Sequence, residues 1–551
     1  MAKMTGGDLV VETLKAAGVE AVFGILSVHN IPIYDAIGRR GGIRPVPVRH
    51  EQSAVLAADG YYRATGKLGV AITSTGPGAG NAMGSMVESQ WGASAVLHIA
   101  GQVESHLIGK MHGFGHEAKD QYGMLQACSK WVGRPTDTAN IPAVVAEAIS
   151  QALSGHRGPV SIDMPIDLQY ASAEAPIPTA QPEPARTPDA SLVRRAAEIL
   201  GSARRPLIWA GGGVVSGEAT AEVRALAERL GAGVITSITG RGSIPEDHTL
   251  SLGVLTGEQS VQALLEEADV LLAIGTRFHG GMTQNWTLKV PPTLIHVDVD
   301  PDVLNRIYPS TVGILGDAKL ALAGIAAALT NGAATEAGWS GRVAAARDEA
   351  RAAVRQRIGH YARFVDDLRD LVPREATIVK DTTIQANAWA NRILDVLEPR
   401  TTVNAASGAI GVSLPMAIGA AVGRPGEPVI CITGDGGFSY NVPELATAVQ
   451  ERLPVIVLVF NDGGYGVLRN IQDLRFEGRR MGSVDLHMPD YVRVAEAYGL
   501  WSRKVSSIEE FGRTVGQALN TGGPALIEID LKAIGEMPVK FPAAMTPSPR
   551  R

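Results

Sequence analysis

Short β-rich runs alternate with apolar patterns of helical period along the whole of this 551-residue chain, and that alternation limits the possible folds more than any other feature. Leu9, Val10, Leu14 and Ala17 mark one helical face. AVFGI at 21–25, RPVPV at 44–48, LGVAIT at 68–73, AVLHIA at 95–100 and GPVSIDM at 158–164 follow as strand candidates. Parallel strands are joined only through crossovers, and a helix between successive strands is the usual one, so the pattern predicts βαβ units and a mainly parallel sheet. ASAEAPIPTAQPEPARTPDA at 171–190 then breaks the pattern. Repeated Pro blocks helix and central strand alike, so this stretch reads as a linker.

Two further blocks repeat the alternation. PLIWAG (206–211), GVITS (233–237), VLLAIG (270–275) and TLIHVDVD (293–300) belong to the second, whose end at 314–328 leads into an Ala, Arg and Glu-rich helical stretch at 340–357. ATIVKD (376–381), PVICITGDGG (428–437), PVIVLVFND (454–462) and PALIEIDL (524–531) belong to the third. The expected fold is α/β: three doubly wound parallel-sheet domains at 1–170, 191–335 and 361–551, with the linker at 171–190 and a connecting helix at 336–360. The first and third, similar in size, are expected to be related halves.

Composition excludes several classes of function. An apolar share of 45% is too high for a disordered chain, and 50 Lys and Arg against 56 Asp and Glu leave no basic excess for nucleic acid or anionic lipid. The uncharged stretches at 68–87 and 401–423 are broken by Gly, Ser, Thr, Asn and Pro, so neither reads as a membrane span. Asp8, Glu12 and Lys15 fall where a signal peptide needs apolar residues. Two cysteines, Cys128 and Cys431, are too few for a disulfide framework. A cytoplasmic protein is expected. The 63 glycines imply many tight turns or close approaches of backbone to ligand.

The segment richest in chemistry is an apolar strand ending in Gly434-Asp435-Gly436-Gly437. An acidic residue there, among glycines that let backbone come close, suits a hard divalent cation that takes oxygen ligands. A second strand ends in Asn461-Asp462-Gly463-Gly464-Tyr465-Gly466. The 27 positions from Asp435 to Asp462 hold one helix, expected at 443–451, and a parallel return strand, so the two turns should be neighbours.

GDGGFSYNVPELATAVQERLPVIVLVFND resembles the signature of the thiamine-diphosphate-dependent enzymes, specifically the acetolactate synthase, benzoylformate decarboxylase and benzaldehyde lyase group. The resemblance implies that Asp435, Asp462 and the Gly464 carbonyl hold Mg²⁺ against the cofactor diphosphate, with Gly434, Gly436, Gly437, Tyr465, Gly466 and Val467 around it. Asp462 departs from the family's usual Asn. Two carboxylates would bind Mg²⁺ more strongly but repel the diphosphate more. Arg49-His50-Glu51-Gln52 matches the family's R-H-E-Q in the pyrimidine-binding domain, which implies that Glu51 faces the cofactor aminopyrimidine. Ser407-Gly408-Ala409-Ile410-Gly411 implies Ile410 as the apolar wedge that bends the cofactor and the Gly408 carbonyl as an acceptor from its amino group.

Substrate-side residues follow from the same resemblance. His29, in the loop after the first strand, is implied as a general acid or base. Ser74 and Thr75 precede a glycine-rich turn, Gly76-Pro77-Gly78-Ala79-Gly80-Asn81, beside the active centre. His112, His116 and Lys119 lie in a loop where relatives place substrate contacts. Arg277, in Gly275-Thr276-Arg277-Phe278, is expected at the site entrance, and Tyr465 and Val467 in the pocket. Relatives use the central domain for FAD, for ADP or for nothing; Gly211-Gly212-Gly213, 238–248 and 295–301 are similar to the FAD-bearing members. The implied activity is a carboligase or lyase acting on 2-oxo acids or 2-hydroxy ketones, with a 2-hydroxyacyl-CoA lyase or an FAD-linked 2-oxo acid oxidase as alternatives. The implied assembly is a homodimer or homotetramer in which Glu51 of one subunit serves Asp435 of the next.

Overall fold

The computed structural model of the chain describes residues 3–329 and 334–540. Three six-stranded sheets form it, and every pairing within them is parallel. In the first sheet the strands lie in the order Arg44–Pro47, Ala21–Gly24, Gly69–Thr73, Val96–Gln102, Val160–Pro165, Trp131–Gly133. In the third the order is Thr402–Asn404, Thr377–Lys380, Val429–Gly434, Val455–Asn461, Ala525–Asp530, Trp501–Val505. Counted along the chain, both run second, first, third, fourth, sixth, fifth, so the two halves share one topology. The middle sheet runs Ser251–Gly253, Gly233–Thr236, Pro206–Ala210, Val270–Ile274, Thr293–Asp298, Val312–Leu315: third, second, first, fourth, fifth, sixth.

Each order reverses direction beside its first strand, and ligands of such sheets bind beyond the carboxyl ends of the strands at that reversal. In the third sheet the reversal lies between Thr377–Lys380 and Val429–Gly434; in the first, between Ala21–Gly24 and Gly69–Thr73. Helices cover both faces, which is why the inner strands are unbroken apolar runs: every residue of Gly69–Thr73 and Val96–Gln102 is buried.

Helix Glu51–Thr65 of the first half packs along helix Ser413–Gly423 of the third. A Cβ at Gly60 would sit 2.1 Å from the Met416 carbonyl oxygen, and one at Gly419 would sit 1.8 Å from that of Ala57. Each helix thus uses a glycine to let the other's backbone in, and one apolar core runs through both halves. The connecting helix, Trp339–Ile358, buries Trp339, Val343, Ala346, Ala350, Val354 and Ile358, a stripe at helical spacing. Trp339 Nε1 donates to the Pro206 carbonyl at 3.0 Å, fixing the helix to the middle sheet. Between Ala173 and Ala190 the chain has neither helix nor strand.

His98 lies fully buried in the first sheet, its Nε2 2.8 Å from Thr73 Oγ1. Burial pushes the imidazole down to about 4 from an ordinary 6.5. Between those values the unfolded chain binds the proton and the folded chain does not, so stability falls as pH falls through that window. Substituting His98→Gln should reduce the slope of unfolding free energy against pH there by up to about 1.4 kcal/mol per unit. Denaturant titrations at several pH values measure it, and an unchanged slope would show that His98 does not titrate as described.

Candidate active site

The two turns expected to be neighbours are neighbours. Val429–Gly434 and Val455–Asn461 pair in parallel with Gly434 opposite Phe460, so Asp435 and Asp462 emerge side by side. Asp435 is 1% exposed. Its Oδ2 accepts from the N–H groups of Gly463 and Gly464, each at 2.8 Å, and this one oxygen fastens the second turn to the first. Burial raises the Asp435 carboxyl to about 6, and the nearby charge of Asp462 adds to the rise. Burial also raises Asp462, whereas the Arg469 guanidinium against it acts in the opposite direction.

Glycine is required in the second turn. Gly464 has φ of +149°, and a Cβ there would sit 2.1 Å from the Val484 carbonyl oxygen. That contact exists because segment 484–486 braces the turn: Tyr465 N–H donates to Val484 O at 2.8 Å and Leu486 N–H to Gly463 O at 3.0 Å. A Cβ at Gly436 would lie 3.1 Å from Gly464 O and 2.7 Å from the Tyr465 ring, so the first turn runs close under the second. Val467 is half-buried on the helix Gly466–Arg475 that follows.

A third strand end, not foreseen from sequence, completes this side. Asp381, after Thr377–Lys380, is buried and accepts from Gly411 N–H at 3.1 Å and from Ser413 Oγ at 2.8 Å. Thr382 Oγ1 donates to the Ala409 carbonyl at 2.9 Å, and Thr383 lies against Gly434. The loop carrying Gly408 and half-buried Ile410 is thereby tied to the strand that precedes it in the sheet. Its other end is held by a fully buried carboxylate from the first half: Glu88 accepts from Ala406 N–H at 2.6 Å and Ser407 N–H at 2.9 Å. The signal for Asp381 was present in sequence, because KDTT is a third oxygen-rich end on an apolar strand. Nothing local marks Glu88.

On the first half, Glu51 is the first residue of helix Glu51–Thr65, and the His50 side chain caps that helix at Gln52 N–H. Glu51 Oε2 accepts from Asn81 Nδ2 at 3.0 Å, while Oε1 lies beside Gly78 next to Ser74. Ser74 Oγ is 3.4 Å from His29 Nδ1 and 3.5 Å from His116 Nδ1, with the two imidazole rings 5.2 Å apart. The fold therefore gathers Glu51, Ser74, His29 and His116 from four separate stretches. His29 is 4% exposed; burial lowers its pKa, and the His116 ring acts in the same direction, so it stands neutral at neutral pH. Gln121, also not foreseen, braces the Ser74 turn: its Oε1 accepts from Thr75 Oγ1 at 2.8 Å and Gly76 N–H at 2.7 Å. Of the basic residues in the neighbouring loop, His112, His116 and Lys119 are all exposed, and His116 reaches Ser74.

Arg277 makes no contact with the Ser74 turn of its own chain. Its Nη2 donates to the Trp91 carbonyl at 2.6 Å, at the far end of helix Pro77–Trp91 from the Ser74 turn, about 20 Å along the axis. It occupies the seam between the first half and the middle sheet, beside Asp298 and Asp300. Among the described residues no hydrogen bond joins the Glu51 group to the Asp435 group, and none of the clusters holds three or more His, Cys, Asp or Glu side chains arranged for a metal.

The comparisons agree with this geometry along the chain. Residues 4–124 match the thiamine pyrophosphate enzyme N-terminal TPP binding domain, 193–325 the central domain, and 383–529 the C-terminal TPP binding domain. The chain belongs to the thiamine pyrophosphate (thiamine diphosphate) enzymes, in the acetolactate synthase-like group. It is 31% identical to acetolactate synthase isozyme 2 large subunit of Escherichia coli K12, over 96% of each chain. It is 31% identical to a probable acetolactate synthase large subunit of Methanococcus aeolicus, over 98% of this chain and 94% of that one. A probable 2-ketoarginine decarboxylase of Pseudomonas aeruginosa is 34% identical, over 96% of this chain and 94% of its own. No helix among the described residues is long and apolar enough to cross a membrane.

Substituting Gly464→Ala puts a methyl group against backbone in a conformation L residues avoid, a strain of about 1–3 kcal/mol or more. Thiamine diphosphate added with Mg²⁺ should raise the melting temperature of the wild type and leave that of the variant unchanged. Gly482→Ala, where a Cβ meets open space, should keep it. Equal stabilisation of both variants in melting curves would mean that the turn tolerates rearrangement.

Proposed function

We propose that this chain is a thiamine-diphosphate- and Mg²⁺-dependent carboligase or lyase that makes or breaks the C–C bond beside the carbonyl of a 2-oxo acid or 2-hydroxy ketone. The observation that carries the reading is the buried Asp435 oxygen holding the Gly463-Gly464 turn beside Asp462. This donor set is all oxygen, two of its members are carboxylates, and it stands at the carboxyl ends of two paired strands, the first of which borders the strand-order reversal of its sheet, which fits a diphosphate bridged by Mg²⁺. Asp435, Asp462 and the Gly464 carbonyl would hold the metal. Ile410 and the Gly408 carbonyl would support the bent cofactor from the loop that Asp381 and Glu88 tie down. When bound, the cofactor supplies an acidic thiazolium carbon that adds to carbonyls and stores the electron pair of the broken bond.

The chain's own residues do the rest. Glu51, the first residue of its helix, would hold a proton at the aminopyrimidine. His29, kept neutral by burial, can accept or donate a proton next to the reacting carbonyl, and Ser74 and His116 offer a relay to the exposed loop. A homodimer or homotetramer fits a site whose Glu51 and Asp435 groups share no hydrogen bond among the described residues of one chain. Exposed apolar residues beside each group, Leu26 and Val28 next to His29, Tyr440 and Leu468 near Asp435 and Asp462, support it further. The free thiols Cys128 and Cys431 support a cytoplasmic setting. FAD in the central domain is the further cofactor to test, by the visible absorbance of the purified protein.

Purified protein incubated with thiamine diphosphate and Mg²⁺ should turn over one of pyruvate, benzoylformate, benzoin or a 2-hydroxyacyl-CoA. The last would move the assignment to an acyl-CoA lyase. Failure with all four, together with no binding of thiamine diphosphate, refutes the reading. Glu51→Gln should slow hydrogen exchange at the thiazolium carbon by about 10²–10⁴-fold, a usual range for removing a proton-transfer group. Cofactor affinity should stay within a few-fold of wild type. NMR exchange rates measure this, and wild-type exchange in the variant would remove Glu51 from the role.

A further inference from the structure

Asp462 brings a second carboxylate to the place where a diphosphate would sit, and the fold sets a cation against it. Arg469 lies on helix Gly466–Arg475, directly after the turn. Its Nη2 donates to Asp462 Oδ1 and, at 3.0 Å, to the Asp462 carbonyl; its Nη1 donates to Asp485 Oδ1 at 2.8 Å. Asp485 in turn makes a β-bridge with Gly464, so the guanidinium closes a ring around the metal turn: Asp462, Arg469, Asp485, Gly464. The side chains of Arg469 and Asp462 are 18% and 24% exposed, so water screens their attraction less than that of a surface pair. Asp462 Oδ2 lies over Gly466, where a Cβ would stand 2.0 Å from it, so the glycine makes room for that oxygen.

We propose that Arg469 is the charge-compensating positioning residue of the metal–diphosphate seat: it engages one oxygen of Asp462, orients the other, and cancels the negative charge that aspartate adds where an asparagine would add none. The inference rests on the thiamine diphosphate reading and goes beyond it, because it assigns a role to a residue outside the metal ligands. Asp462 and Arg469 together carry no net charge, as an asparagine would carry none; Asp485, which Arg469 also engages, and Lys532, whose Nζ lies beside Gly463, are a further pair of opposite charges. Without it, the extra charge of Asp462 meets the diphosphate directly.

The test is a double-mutant cycle read by calorimetric titration of thiamine diphosphate at saturating Mg²⁺ and by EPR titration with Mn²⁺, neither of which requires turnover. Arg469→Gln should weaken thiamine diphosphate binding about tenfold or more, and added salt should narrow the gap. Arg469→Lys, which keeps the charge, should stay close to wild type. Asp462→Asn combined with Arg469→Gln should restore affinity, since charge and counter-charge leave together. If Arg469→Gln does not fold, Asp462→Asn alone carries the test: with its counter-charge removed, Arg469 should tighten thiamine diphosphate binding at saturating Mg²⁺, and unchanged or weaker binding overturns the proposal. Wild-type affinity in Arg469→Gln, or a double variant as weak as the single one, overturns the proposal and leaves the functional reading standing. A wild-type protein that binds neither probe removes both.

Discussion

One buried carboxylate oxygen, Asp435 Oδ2, accepts two backbone N–H groups from a turn that begins 28 residues later. The interaction combines two requirements that normally conflict. A carboxylate taken out of water must be compensated, and here backbone dipoles compensate it in part, leaving its pKa raised. A glycine turn has little side-chain packing to hold its shape, and here the carboxylate and the 484–486 segment hold it. The residual discomfort of Asp435 and Asp462, two acids in one buried place, is what a divalent cation would relieve. The remainder of the third domain can be read as the support for this contact: parallel strands that deliver the two turns in register, and Asp381 tying the neighbouring loop.

The shared strand order of the first and third sheets gives the site its two-part character. Both halves present their turns at the carboxyl ends of equivalent strands: the Ser74 and His29 turns in one, the Asp435 and Thr383 turns in the other. They are joined through a helix pair notched by Gly60 and Gly419 rather than through the turns themselves. Glu88 crosses the same boundary with hydrogen bonds to the Ile410 loop. A change in the packing of the halves would therefore be felt at the loop that carries Gly408 and Ile410.

What the sequence revealed follows burial and locality. Inner strands such as Val96–Gln102 and Val455–Asn461 were legible because both faces are covered and the apolar run is unbroken. Trp131–Gly133, Ser251–Gly253, Val312–Leu315, Thr402–Asn404 and Trp501–Val505 were not, and all five lie at sheet edges. An edge strand is short and keeps one side open, as the alternating burial of Val312–Leu315 shows, so its apolar signal fades into that of a loop. At the site, the Asp435 and Asp462 turns were legible because their relation is a fixed spacing along the chain. Glu88, which acts 318 residues away, and Gln121 were hidden because their partners come only with the tertiary fold. Arg277 meets the Trp91 carbonyl, a contact between domains that no local pattern encodes.

The most direct measurement is a crystal structure of the protein grown with thiamine diphosphate and Mg²⁺. The account predicts metal density about 2.1 Å from oxygens of Asp435, Asp462 and the Gly464 carbonyl, bridged to the diphosphate, with the Asp435 bonds to Gly463 and Gly464 retained. Cofactor density elsewhere, or a metal that leaves Asp435 bound only to the turn, would contradict it.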